Sequence, residues 1–423
     1  MNVLTNKSTA LQLPPLNFEA AAIRLKKVVT QTPLQLNEAL SKKYQCQIYL
    51  KREDLQVVRS YKLRGAYNMI AALPKEQLAK GVVCASAGNH AQGVAFSCKQ
   101  LGVKAVIFMP TITPKQKINQ TKMFGEHFVE IKLVGDTFDD CADAAKQFTQ
   151  DHQMVFIPPF DDHAIIEGQA TVAKEIANAI EPPDFVLIPI GGGGLCAGVG
   201  SYFKTFFPAT QIIGVEPEGA PSMFEALKQG KPIALNAIDR FVDGAAVKRV
   251  GDKTFTICAQ VINKMILVPE GKVCTTILQL YNENAIVVEP AGALTIAALD
   301  YLKEYIVGKK VVCIIGGGNN DIDRMPEIKE RSLQYEGLKH YFLIRFAQRP
   351  GALKDFVNNV LSDNDNITRF EYMQKTNKES GPALVGIELS QVTDYQTLIT
   401  RMQNHKIDYS EINKNDLLFS YLI

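Results

Sequence analysis

The sequence predicts an α/β protein that carries a second, smaller α+β module behind its main body. Two observations carry that expectation. Between about residues 45 and 316, short apolar, β-branched runs alternate with amphipathic stretches, the pattern of a layered sheet with helices on its faces. After Asn320 the chain turns charged, then settles into a compact succession of strand-like and helix-like segments.

The runs of the first part are QIYL, GVVCAS, KAVIFMP, HFVEIKLV, FVLIPI, QIIGVEP, MILVPE and KVVCIIG. Most are continuously apolar instead of alternating, as strands buried on both faces of a parallel sheet must be. Helices are expected between them, for example over 91–101 and 170–180. In the second part, DIDRMPEIKERSLQYEGLK reads as a charged helix running into a turn near Gly337. HYFLIRF then reads as a strand, RPGALKDFVNNVL as a helix opened by Pro350, and ITRFEYMQ and PALVGIELS as strands. YQTLITRMQNH reads as a helix, and the apolar ending LLFSYLI closes a βαββαβ unit. The expected division is 1–337 and 338–423.

Composition excludes several classes. With 423 residues, 46% hydrophobic and 21% charged, the chain can bury a large core in two or three domains. A net charge of +2 offers no basic field for nucleic acid. The first thirty residues lack a basic segment followed by an apolar one, and no run is long enough for a membrane span, so a cytoplasmic location is expected. The eight cysteines form no C-x-x-C pair and several lie inside apolar runs, which suits small buried side chains in a reducing compartment. The six histidines show no ligand spacing, and no metal site is expected.

Three glycine-bearing segments stand at strand-to-helix junctions, where open α/β sheets hold ligands. Ser60-Tyr61-Lys62-Leu63-Arg64-Gly65 opens a helix, with Ser60 as its expected N-cap. Its lysine sits among apolar and aromatic neighbours, and burial makes an amine nucleophilic. Ser86-Ala87-Gly88-Asn89-His90 follows GVVCAS and presents backbone N–H groups at a helix start, a seat for a carboxylate. Gly191-Gly192-Gly193-Gly194-Leu195 follows FVLIPI and could form a backbone nest around a phosphate. Gly192, Gly194 and Ala197 also fit G-x-G-x-x-A, with Glu216 ending the next strand, so a nicotinamide-dinucleotide oxidoreductase is open on these segments alone.

Taken with the turn Gly316-Gly317-Gly318-Asn319, these segments resemble the fold-type II pyridoxal phosphate enzymes, and more narrowly the biosynthetic threonine dehydratases. The resemblance runs from about Asn17 to the C-terminus. It implies two open, twisted, mainly parallel sheet subdomains, as in the tryptophan synthase β fold, plus a C-terminal ACT-like regulatory domain. It also implies a role for each matched residue. Lys62 would carry pyridoxal 5'-phosphate as a Schiff base and remove the substrate α-proton, with Tyr61 beside the ring. Asn89 would bond the cofactor's 3′ oxygen, and Gly191, Gly192, Gly193, Gly194 and Leu195 would cradle its phosphate. Ser86, Gly88, Asn89 and His90 would hold the substrate carboxylate. Gly244, in Asp243-Gly244-Ala245-Ala246, would flank the ring on its other face.

Gly316 occupies the place where the family usually has a serine facing the ring nitrogen. Tyr61 stands where phenylalanine is usual. Glu216 matches a cation-binding acid of related enzymes, but the companion acid six residues on is Ser222 here. Arg349, Gly351 and Leu353 match the effector-binding turn of ACT-type modules, which implies inhibition by isoleucine, relief by valine, and a place in isoleucine biosynthesis. The implied reaction deaminates L-threonine to 2-oxobutanoate and ammonia, in a homotetramer. L-serine dehydration or racemisation, and a non-catalytic amino acid sensor, are the alternatives.

Overall fold

The structure is a computed structural model that describes residues 3–5, 12–373 and 379–422, without the side chains of Asp416 and Ser420. The chain forms two compact units, Met1–Ile322 and Asp323–Ile423.

The first unit contains two sheets. The larger runs Val3–Thr5, Ile262–Val268, Gln211–Pro217, Phe185–Pro189, Lys310–Ile315, Gln47–Arg52, Leu34–Leu36. Its five inner strands are parallel and only the two short edge strands pair antiparallel. The smaller sheet, Val129–Leu133, Ala105–Met109, Val82–Ala85, Val155–Phe156, is wholly parallel. Both faces of its central strands are covered. Val82, Cys84 and Ile107 pack on the helices Lys62–Ala71 and Asn89–Leu101, whereas Val83, Val106 and Phe108 pack on Phe138–Asp151. Burial on both sides is why these strands read as unbroken apolar runs. In the larger sheet, Val186, Ile188, Val312 and Ile314 share a core with the helices His163–Ala179 and Gly194–Phe206. The eight cysteines are free; seven are buried and Cys46 is half-buried.

A buried ionic network steadies the helix that begins at Lys62. The Arg64 guanidinium, fully buried, donates to Glu53 (2.8 Å to each oxygen) and to Glu175 (2.6 and 2.9 Å). Lys51 Nζ donates to the Thr32 carbonyl and to Glu175. Such a network costs much to desolvate and holds one geometry only when every member is present. Ser60 is not the helix cap: the N-cap position is Tyr61, without a side-chain cap, and the Ser60 hydroxyl is buried without a partner. Its backbone is taken instead into a bridge with Gly317.

The second unit is a four-stranded antiparallel sheet in the order Asn366–Tyr372, Ser380–Glu388, Lys339–Ala347, Asp408–Glu411, with the helices Ala352–Asn359 and Asp394–Asn404. Phe342, Ile344, Phe356 and Leu398 form its core. The βαββαβ order is as expected, but three details differ. The last strand is Asp408–Glu411, a polar edge strand that apolar content could not reveal; Asp416–Leu422 is a helix, and Ile423 lies outside the described residues. Gln374, expected to end a strand, lies outside them too. Pro350 precedes the helix instead of opening it, because Gly351, at φ +85°, turns the chain into Ala352. The unit also begins before the expected boundary at 337/338. The helix Met325–Tyr335 joins it: Glu330 accepts a hydrogen bond from the Tyr341 hydroxyl (2.8 Å) and stands 3.7 Å from Lys339 Nζ.

Candidate active site

Lys62 begins its helix, and its Nζ donates to the Pro159 carbonyl at 2.9 Å. The amine stands 5.5 Å from the Tyr61 ring centre and 6.0 Å from that of Phe160. Desolvation lowers its pKa from 10.5 to about 8, against a smaller opposing pull from Glu289. Close to neutral pH, a usable fraction of this lysine is therefore the nucleophilic free amine.

Phe160 links the amine to the tetraglycine loop. A Cβ on Gly192 would lie under 3.0 Å from three carbons of the Phe160 ring, so the loop backbone passes the ring where no side chain fits. Gly193 is left-handed, at φ +94°, and caps the helix Gly194–Phe206. Successive N–H groups at such a helix start make an anion seat. Leu195 contributes only backbone there, since its side chain is in the core. Gly191 runs against the Ala245 carbonyl, 2.9 Å from where its Cβ would be, which places the Asp243–Ala246 loop beside the glycines.

On the opposite side, Asn89 begins the helix Asn89–Leu101. Its Nδ2 donates to Glu289 (2.7 and 2.9 Å), and its Oδ1 accepts from Asn319 Nδ2 (2.7 Å). Glu289 is buried and borders Gly244 and Gly317. Burial, with repulsion from Asp243 next, raises its carboxyl to about 7. The backbone N–H of Tyr61 donates to Gly316 (3.2 Å), so the Gly316 turn is tied to the lysine segment. Asp243 itself is paired with Lys117 Nζ at 2.7 Å.

Most of the expected site residues thus converge, though not all through side chains. Ser86 Oγ accepts from the Gly88 N–H (3.2 Å), and a Cβ on Gly88 would meet open space. The His90 ring is buried and turned away: Nε2 bonds the Ile157 carbonyl (2.9 Å). A carbonyl can only accept, so Nε2 carries the proton. Burial, with the charge of Lys62, lowers the imidazole to about 3 and keeps it neutral. Glu216 spends its oxygens on the Met223 and Phe224 N–H groups (2.7 and 2.9 Å), capping the helix Ser222–Gln229. Among the described residues, no group of three or more His, Cys, Asp or Glu is arranged to hold a metal. In the second unit, Arg349 Nη2 pairs with Asp355 (2.7 Å), and Leu353 is exposed.

Sequence reading missed Glu289 and Phe160. Glu289 precedes Pro290 and resembles an ordinary helix-start acid; nothing local connects it to Asn89, 200 positions away.

The residues present fit pyridoxal phosphate: a half-buried amine, an anion seat formed by glycines, and the Asn89 amide held by Glu289 and Asn319. The family model for pyridoxal-phosphate dependent enzymes matches residues 25–317, and the C-terminal regulatory domain of threonine dehydratase matches 330–422. "L-threonine dehydratase biosynthetic IlvA" of Halalkalibacterium halodurans is 58% identical over 400 residues, covering 94% of this chain and 96% of that protein. The protein of the same name from Staphylococcus aureus strain N315 is 51% identical over 428 residues, covering both chains completely. The chain belongs to the biosynthetic threonine dehydratases. The solved structure of the processed form of threonine deaminase isoform 2 from Solanum lycopersicum superposes with a TM-score of 0.73 at 39% identity, covering 78% of this chain and 97% of that one. As a member of this family the chain is a pyridoxal-phosphate dependent enzyme with a C-terminal regulatory domain, which removes the nicotinamide reading of the glycine loop. Among the described residues no helix is long and apolar enough to cross a membrane.

Proposed function

We propose that this dehydratase converts L-threonine to 2-oxobutanoate and ammonia, as the committed step of isoleucine biosynthesis in the cytoplasm, in a homotetramer. The observation that carries the reading is the Lys62 amine, at about pKa 8, set beside Phe160 and the tetraglycine loop. When bound, the cofactor supplies an electron sink for the electrons left at the substrate α-carbon.

The chain's own residues do the rest. Gly191 to Gly194 and the Leu195 N–H would hold the phosphate end, and Tyr61, Gly244 and Gly316 would line the ring. Lys62 anchors the aldehyde end and then, as a free amine held in place, takes the α-proton; proximity replaces a high concentration of external base. Backbone N–H groups of the Ser86–His90 loop seat the substrate carboxylate. His90 takes part through its main chain, because its ring is committed to Ile157. The leaving hydroxyl departs as water, the proton it gains balanced by the one that Lys62 takes from the α-carbon. Hydrolysis of the resulting enamine restores that water and releases ammonia, so the net products are 2-oxobutanoate and ammonia.

The second unit is the regulatory one, with residues 338–423 as its ACT-like part, and Arg349, Gly351 and Leu353 form the effector turn. Isoleucine inhibits and valine relieves by favouring different states of the assembly. The test is 2-oxoacid release from threonine and from serine, each with and without isoleucine. Faster turnover of threonine and its suppression by isoleucine are expected; no product from either amino acid would overturn the reading.

A further inference from the structure

Glu289 has no place in the roles assigned above, yet it is buried against Asn89, the residue that by the family resemblance would face the cofactor's 3′ oxygen. Among the described residues none of the ion pairs includes it, so its surroundings must account for an acid there. Its side-chain hydrogen-bond partner is the Asn89 amide, whose Nδ2 lies 2.7 and 2.9 Å from the two carboxylate oxygens, and the Asn319 backbone N–H also donates to it. Asn319 Nδ2 lies 2.7 Å from Asn89 Oδ1, 2.9 Å from the Val58 carbonyl and 2.9 Å from Gln92 Oε1; with two N–H bonds for three acceptors, it gives one to Val58 and shares the other between Asn89, the nearer, and Gln92.

Each end of this relay has only one polarity. A backbone carbonyl can only accept, which fixes the Asn319 nitrogen toward Val58 and, through it, the Asn89 oxygen toward Asn319. A carboxylate likewise only accepts, which holds the Asn89 nitrogen at the other end. An amide nitrogen carries two N–H bonds, and Glu289 takes one. Among the described residues no other group accepts the second.

We propose that Glu289 is a positioning residue which, with the Val58 carbonyl, fixes the rotation of the Asn89 amide so that an N–H and not a carbonyl oxygen faces the 3′ oxygen of bound pyridoxal phosphate. The inference rests on the cofactor placement proposed above. Glycine at 317 and at 244 leaves room for the carboxylate: a Cβ at either position would crowd Glu289 Oε1. The charged and titratable groups acting on it are Asp243, Lys117, Lys62 and Tyr61. Because burial raises the carboxyl to about 7, its charge is lost as pH falls through neutrality, and the hold on Asn89 weakens in that window.

A double-mutant cycle on cofactor uptake tests this. Apoprotein of the parent, Glu289→Leu, Asn89→Ala and the double variant would be titrated with pyridoxal phosphate at pH 8, following the visible absorbance. Each single substitution should weaken uptake about tenfold, the worth of one hydrogen bond. Glu289→Leu should add almost nothing in the Asn89→Ala background, because it acts through that residue. Glu289→Gln keeps an accepting oxygen and should recover most of the affinity that Glu289→Leu loses. If Glu289→Leu does not fold, Glu289→Gln completes the same cycle. Additive losses in the double variant, or no recovery by Glu289→Gln, overturn the inference. Failure of the parent itself to take up the cofactor overturns the underlying placement instead.

Discussion

Replacing Gly192 by alanine tests the phosphate cradle most directly. A methyl group there would lie closer than 3.0 Å to three carbons of the Phe160 ring, a spacing that real Cβ atoms do not adopt. The ring must shift, and it is the ring that stands 6.0 Å from Lys62 Nζ. Overpacking of this kind costs about 1–3 kcal/mol. If that cost is met on binding, uptake of pyridoxal phosphate weakens by roughly 5- to 150-fold, at about 1.4 kcal/mol per tenfold. Gly316→Ala is the comparison: its Cβ would meet protein only at an ordinary 3.4 Å from Pro189 Cγ and Tyr61 Cε1, so a loss there would report contact with the cofactor at its proposed ring-nitrogen edge and not overpacking of the chain. Neither position is left-handed, so both substitutions avoid backbone strain. The assay is titration of each apoprotein with cofactor, followed by visible absorbance, alongside a thermal melt. Parental affinity in Gly192→Ala would refute the reasoning.

Two further outcomes follow from the same geometry. The rate at which apoprotein captures pyridoxal phosphate should rise about tenfold between pH 7 and pH 9 and level off, as an amine with pKa near 8 loses its proton. An unshifted lysine would give roughly a hundredfold rise over that interval with no plateau, and that profile would count against a desolvated Lys62. Arg64→Met should destabilise the protein by about 3–5 kcal/mol in denaturant melts, because Glu53 is left fully buried with Lys51 Nζ at 3.9 Å as its remaining cation. A loss under about 1 kcal/mol would mean the network carries little of the helix's placement.

Sequence alone determined the fold class, because its signals are local. Unbroken apolar runs such as FVLIPI and KVVCII require cover on both faces, and the glycines after them mark strand-to-helix junctions whatever the rest of the chain does. The lysine, the asparagine and the glycine loop were legible for the same reason. Local signals failed where a long-range partner decides. Ser60 has the chemistry of a cap but its backbone is bridged to Gly317. The strand Asp408–Glu411 is polar, and pairing with Lys339–Ala347 defines it.

Tertiary structure decided which of the glycine segments share one site, which way His90 faces, and that the regulatory unit includes the helix Met325–Tyr335. It also supplied Glu289, an acid before a proline, whose role depends on a hydrogen bond across 200 positions of chain. Propensity and pattern act over a few residues, whereas desolvation and hydrogen-bond polarity depend on what the folded chain brings alongside. That is why the sequence could nominate Lys62 but only the fold could lower its pKa.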